Sequence, residues 1–328
     1  MKSYWMQVSA GQAQLEMRDT PQPQPGARQL LVRVRAAGLN RGEFILGHGL
    51  HGTGGAAKAV GMEAAGEVVA CGAEVAGFKP GDKVFGRCPG AFAELALMDA
   101  REASPKPAAL TWEEAASIPL VFLVVYDMLV LQGRLKPDEW VLIAGVSSGV
   151  GVAALQLAKA LGAKVIGSSG SQGKLDALKS SGLDVGLCTR MPDFHEAVMQ
   201  ATDGQGVNLV VNAVGGSVFA ECVKTMAFEA RLATVGYVDG VLAGVMDIEA
   251  LHAKRLTLFG VSNKLRSADQ KAQSVPGFRA DVLPLFEAGR VKPVIDRIFP
   301  FGQLGQAKAH METNQHLGKI VLAGSQPN

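Results

Sequence analysis

The 328 residues lack a dominant charge, a cysteine framework and any apolar run long enough to enter a membrane. Thirty-two Lys and Arg against 30 Asp and Glu leave a formal charge of +2. That is too weak a field to gather nucleic acid or an acidic membrane surface over the whole molecule. Aromatic residues are only 6% of the chain and interleave with no basic stripe, so no nucleic-acid partner is expected. Cys71, Cys88, Cys188 and Cys222 lie 17, 100 and 34 positions apart with no C-x-x-C pair, which excludes a zinc knuckle. A disulfide framework needs a denser set in a shorter secreted chain. The N-terminus MKSYWMQVSAGQAQ has no apolar h-region. The most apolar stretch, Leu120 to Leu131, is too short to span a bilayer and carries Tyr126 and Asp127. A reduced, cytoplasmic protein with no membrane segment is the expectation.

What is there is enough apolar material for a sizeable core, 48% of the residues, and a glycine excess of 40 in 328, where about 7% is usual. The length suggests two domains. Up to about residue 120 the sequence reads as short strands broken by Gly and Pro: LLVRVRAAG, the VVA of GEVVACG, KVFG and FAELALM. PQPQPG at 21–26 reads as a turn, because repeated Pro removes backbone donors. From about residue 138 apolar strands alternate with amphipathic helices. The strands expected are 139–145, 163–169, a weaker 184–188, 207–214, 230–237 and 255–260, and the clearest helix is GVAALQLAKALG. Short, continuously apolar strands spaced by helices indicate an α/β, doubly wound parallel sheet. After residue 263 come a helical stretch ending near 287–290, a strand-like VIDRIF and the helix-like QLGQAKAHMETN. Composition alone leaves open whether this tail is a third unit or completes the first.

The informative turn runs from Ala144 to Ala163, where a strand passes through a Gly-bearing loop straight into a helix. A helix N-terminus offers unpaired N–H groups and partial positive charge to a pyrophosphate. Ser148, Gly149, Val150 and Gly151 are the candidates for that contact. The strict G-x-G-x-x-G is not met, since Val146 and Ser148 stand at its first two Gly positions and only Gly151 matches the third. At the end of the second strand a carboxylate would select NAD. Here Ser168, Ser169 and Ser171 offer hydroxyls, Lys174 a cation, and no Asp or Glu occurs before Asp176. This favours NADPH.

Four stretches carry a family resemblance: AAGLNRGE (36–43), GMEAAGEVV (61–69), FKPGDKVFG (78–86) with GAFAELALM (90–98), and KPDEWVLIAGVSSGVG (136–151). In order and spacing the chain resembles the medium-chain dehydrogenases/reductases, and within them the zinc-independent quinone oxidoreductase, or zeta-crystallin-like, branch. The resemblance implies a GroES-like β-barrel catalytic domain from 1–122 and 263–328, with a Rossmann domain, 123–262, inserted and NADPH in the cleft between them. Where the zinc enzymes of the superfamily place Cys, His and a further donor, this chain resembles them with Asn40, Met62 and the neighbourhood of Leu120, which is no zinc donor set. No metal is assigned. His48 and His51, with no third ligand nearby, read as a mobile substrate loop or as solvated side chains. Cys71 and Cys88 read as packing residues.

Without zinc the acceptor must already be electrophilic, a quinone or an α,β-unsaturated carbonyl. Asn40, which the resemblance aligns with an Asn typical of the branch, and Tyr126, which resembles the Tyr of the family's T-A-Y segment, are the candidates to stabilise charge on its oxygen. Val124 stands where the family has Thr. Gly236, Asn263 and Arg266 follow late sheet strands and are assigned to the cofactor. The alternatives are an enoyl-thioester or alkenal reductase of the same superfamily, and a non-catalytic NADPH- or RNA-binding protein. A homodimer through the 255–260 edge strand is also expected.

Overall fold

The computed structural model describes residues 1–9, 12–44 and 56–325, so His48 and His51 lie outside the described residues. The chain forms two compact units, Met1–Leu123 with Arg266–Asn328, and Val124–Leu265.

Eight strands of the first unit precede residue 106: β1 (Lys2–Ser9), β2 (Gln12–Asp19), β3 (Gln29–Gly38), β4 (Lys58–Ala59), β5 (Glu63–Cys71), β6 (Lys83–Arg87), β7 (Leu95–Asp99) and β8 (Ala103–Pro105). The second unit holds β9 (Trp140–Ala144), β10 (Lys164–Ser169), β11 (Val185–Cys188), β12 (Val207–Asn212), β13 (Met226–Thr234) and β14 (Thr257–Gly260). In the tail are β15 (Ile295–Phe299) and β16 (Lys319–Ala323).

In the first unit, a seven-stranded sheet runs β15-β16-β3-β5-β6-β8 with β7 also on β3, and a smaller sheet runs β2-β1-β4. Met6, Leu30, Val32, Val84, Phe92, Met98, Ile320 and Leu322 meet in one core. This is the GroES-like unit. The tail completes it: β16 pairs antiparallel with β3 through Val321, Leu322 and Ala323 opposite Gly38, Ala37 and Ala36. The β1–β2 hairpin was not legible in the sequence, because of its described side chains only Ser3, Tyr4 and Met6 are buried.

In the second unit, six parallel strands lie in the order β11-β10-β9-β12-β13-β14. Val141, Leu142, Ile143 and Ala144 of β9 are fully buried, as both faces of a parallel sheet require when helices cover them. The helix Gly149–Ala160 buries Val152, Leu155 and Leu157 and turns Lys159 out to Asp184 at 2.8 Å. It ends in a Schellman turn: Ala163 N–H donates to Ala158, Gly162 N–H donates to Lys159, and Gly162 takes φ +86°. The apolar stretch after Pro119 is a helix, Pro119–Tyr126, followed by one wide π turn, Asp127–Leu131. Among the described residues no helix is long and apolar enough to cross a membrane.

Candidate functional site

The parallel sheet reverses its winding between β9 and β12, and at such a switch point the carboxyl ends of the strands open onto a ligand crevice. The turn after β9 is built for close approach. Gly145 takes φ +83°, a left-handed conformation that favours glycine. The Ser148 hydroxyl caps the long helix, accepting from Gly151 N–H at 3.0 Å and donating to the Gly145 carbonyl at 2.9 Å. A side chain on Gly151 would strike the Gly145 carbonyl, with Val146 Cα at 2.7 Å. Gly151 thus holds helix against turn, while the amides of Gly149 and Val150 meet no acceptor among the described residues. Those amides and the positive helix end fit a pyrophosphate.

Ser168 and Ser169 end β10 beside this turn. Ser168 Oγ accepts from Gly145 N–H at 3.4 Å, and Ser169 Oγ lies 3.1 Å from Ser147 Oγ. A residue that the sequence pattern did not single out stands here. The Arg190 side chain, just past β11, lies against Gly170, so that even a Cβ at Gly170 would strike it. The signal was faint: a single Arg two residues beyond the weakest strand. Lys174 lies on the helix Gln172–Leu178, which opens after Ser171. Asp176, the first acidic residue beyond β10, pairs with Lys179 at 2.8 Å. The local donor set is therefore hydroxyl and cationic, which fits a 2′-phosphate.

Two further loops at the same edge are pinned by side chains not singled out in the sequence. Asn212 Oδ1 accepts from the amides of Val214 and Gly215 at 3.0 Å, and its Nδ2 donates to Gly215 at 2.9 Å. Asp239 accepts from the Ser217 and Val241 amides, each at 2.9 Å. Gly236 stands two residues past the end of β13, where an added Cβ would lie 3.3 Å from the Ala213 carbonyl oxygen. Asn263 lies in the irregular segment after β14, and Tyr126 is buried at the end of its helix. Arg266 belongs to the first unit, where its guanidinium donates to the Gln270 carbonyl.

Asn40 lies in the first unit within a buried cluster. Its Nδ2 donates to Glu43 Oε1 and to Glu63 Oε1, both at 2.8 Å, and its Oδ1 accepts from Lys319 Nζ at 2.7 Å. Lys319 also donates to Glu63 Oε1 at 2.6 Å and to the Leu39 carbonyl at 2.9 Å. Glu63 Oε2 takes Leu120 N–H at 2.7 Å. In the sequence Glu43 and Glu63 lie inside two of the stretches that carry the resemblance but have no catalytic or binding role assigned, and Lys319 lies outside all four. Both N–H bonds of Asn40 are spent inside the cluster, so donation to a bound acceptor requires one carboxyl to let go. Among the described residues no three His, Cys, Asp or Glu side chains converge on a possible metal position. Burial pushes the Cys88 thiol up to about 12 and raises that of Cys71, as for packing residues rather than nucleophiles.

A parallel sheet with an amide-lined turn at its switch point, in one chain with a GroES-like unit, is an architecture on which dinucleotides are bound. Residues 26–108 match the family model of the alcohol dehydrogenase GroES-like domain, and residues 149–272 that of zinc-binding dehydrogenase. The chain belongs to the medium-chain dehydrogenase/reductase superfamily. A mycobacterial protein solved in complex with NADPH is 26% identical and superposes with a TM-score of 0.86, over 98% of this chain and 99% of that one. A quinone oxidoreductase from Pseudomonas syringae pv. tomato is similar at 26% identity and a TM-score of 0.86, over 98% and 100% of the two chains. A phenolphthiocerol/phthiocerol polyketide synthase of Mycobacterium tuberculosis is 31% identical over 94% of this chain, which spans 14% of that relative's length.

Proposed function

We propose that the chain is an NADPH-dependent, zinc-independent reductase of quinones or other activated enones. The observation that carries this reading is the nucleotide edge itself: open amides at Gly149 and Val150, serine hydroxyls closing β10, and Arg190 with Lys174 where an NAD enzyme would place a carboxylate. The donor set at Asn40 and Met62 supports an acceptor that needs no metal to polarise it. When bound, NADPH supplies hydride from its nicotinamide. The protein's share is to hold the pyrophosphate on the helix end and to donate to the acceptor oxygen, roles assigned to Asn40 and Tyr126. NADPH oxidation by the purified chain with a panel of quinones, enones and enoyl thioesters tests the reading. No oxidation with any quinone or enone overturns it, and turnover of enoyl thioesters alone transfers the assignment to the alternative acceptor class.

Cofactor choice has its own test. Lys174→Ala and Arg190→Ala should each weaken NADPH binding by about tenfold or more, the loss of one charge-assisted contact, and leave NADH binding nearly unchanged. Equal losses for both cofactors, measured by fluorescence titration, would make these side chains structural.

The same reading includes a homodimer, with β14, one of the two outer strands of the six-stranded sheet, paired to its symmetry mate. A sedimentation mass of one chain removes it.

A further inference from the structure

The cluster around Asn40 contains a carboxyl that the proposed reduction does not use. Glu43 ends the short turn Arg41–Glu43 and is 3% exposed. Its Oε1 takes one Asn40 hydrogen, and its buried Oε2 has no hydrogen-bond partner among the described residues. Among the described residues, the charged groups acting on it are Glu63 from β5 and Lys319 from β16. The one ammonium gives its bonds to Glu63, Asn40 and Leu39 instead of Glu43. Arg41, its neighbour on the turn, donates to the Met311 carbonyl at 2.9 Å and to Asn314 Oδ1 at 2.6 Å. Burial drives the Glu43 carboxyl upward, the Asn40 hydrogen bond draws it back, the Glu63 charge raises it and Lys319 lowers it; it settles at about 8.

We infer that Glu43 is a positioning residue that gates Asn40: as a neutral carboxyl it can release the Asn40 amide to the acceptor, and as a carboxylate it locks the amide away. The inference rests on the proposed reduction and deepens it. Both Asn40 hydrogens are engaged at rest, so one carboxyl must yield before the amide can reach a third oxygen. Glu63 is tied by Lys319 and by Leu120 N–H, which leaves Glu43. A hydrogen bond to a charged acceptor is roughly twice as strong as one to a neutral acceptor. The neutral form therefore yields readily and the ionised form does not. The proton stays on Glu43 throughout, so the step moves only a hydrogen bond.

The test is kcat/KM for NADPH-dependent reduction of a naphthoquinone against pH, with melting temperature measured in parallel. One titrating group with a midpoint near 8 should lower kcat/KM about tenfold one unit above that midpoint. Glu43→Gln, which keeps an acceptor and cannot ionise, should abolish that alkaline loss and leave kcat/KM flat across the midpoint. The folded-state value lies above the ordinary 4.5, so the proton's contribution to stability is complete below about 4.5 and is lost progressively as pH rises from there through about 8. The melting temperature of the parent should fall over this range more steeply than that of the variant. If Glu43→Gln does not fold, Glu43→Met fills the same volume without a titrating group and should show no alkaline loss at this midpoint. An alkaline loss that persists unchanged in the variant overturns the gate alone. Absence of turnover with every quinone and enone overturns the reduction and the gate with it, whereas the melting curves still report whether Glu43 carries the proton.

Discussion

Replacing Lys319 with Met should cost about 3–5 kcal/mol of folding free energy, the usual result of stripping one partner from a buried ion pair. Lys319 is 5% exposed and Glu63 0%. The ammonium serves three oxygens, on Glu63, Asn40 and Leu39. Without it, Glu63 keeps, among the described residues, the Asn40 amide and Leu120 N–H, a poor return for a charge removed from water. The double variant Lys319→Met with Glu63→Gln should recover part of the loss, because it removes both charges together. Urea unfolding at constant m-value gives the cycle. If the two single losses simply add in the double variant, the ion pair contributes no coupling and the cluster does not act as one unit.

The second large effect is expected at Gly151. An added methyl there meets the Gly145 carbonyl and Val146 Cα, backbone atoms that can move only by separating the helix from the turn. Overpacking of this kind costs about 1–3 kcal/mol, and it displaces the amides that face the pyrophosphate. Gly151→Ala should therefore lower both the melting temperature and NADPH affinity. The control is Gly173, in the helix Gln172–Leu178, where an added Cβ meets nothing within 4 Å. Gly173→Ala should be stabilising by about 0.5–1 kcal/mol through helix propensity and unfolded-chain entropy. A neutral Gly151→Ala in thermal melts would show that the strand-to-helix turn has slack.

The cofactor unit was largely legible in advance. Its strands are short and mostly apolar, its first helix carries a clean apolar face, and five of the six strands fall within the stretches read from the pattern, while β13 begins at Met226, four residues before the expected 230–237. Serine hydroxyls and the absence of a carboxylate at the end of β10 were visible in the same way. The first unit was read less completely. The hairpin of β1 and β2 buries few of its described side chains, and β16 is five residues whose partner β3 lies at the other end of the chain. Arg190 escaped because its contact with Gly170 depends on how β10 and β11 pair.

Residue periodicity, turn chemistry and motif spacing are local properties, so the chain alone determined its fold class, the Gly-bearing turn after β9 and the hydroxyl and cationic residues that follow β10. The surroundings of Asn40 were decided only by folding. Glu63 and Lys319 stand 23 and 279 positions away from it in the chain. Burial and charge pairing between such distant groups make the amide a held and gated donor, and this arrangement exists only once water has been removed from around them.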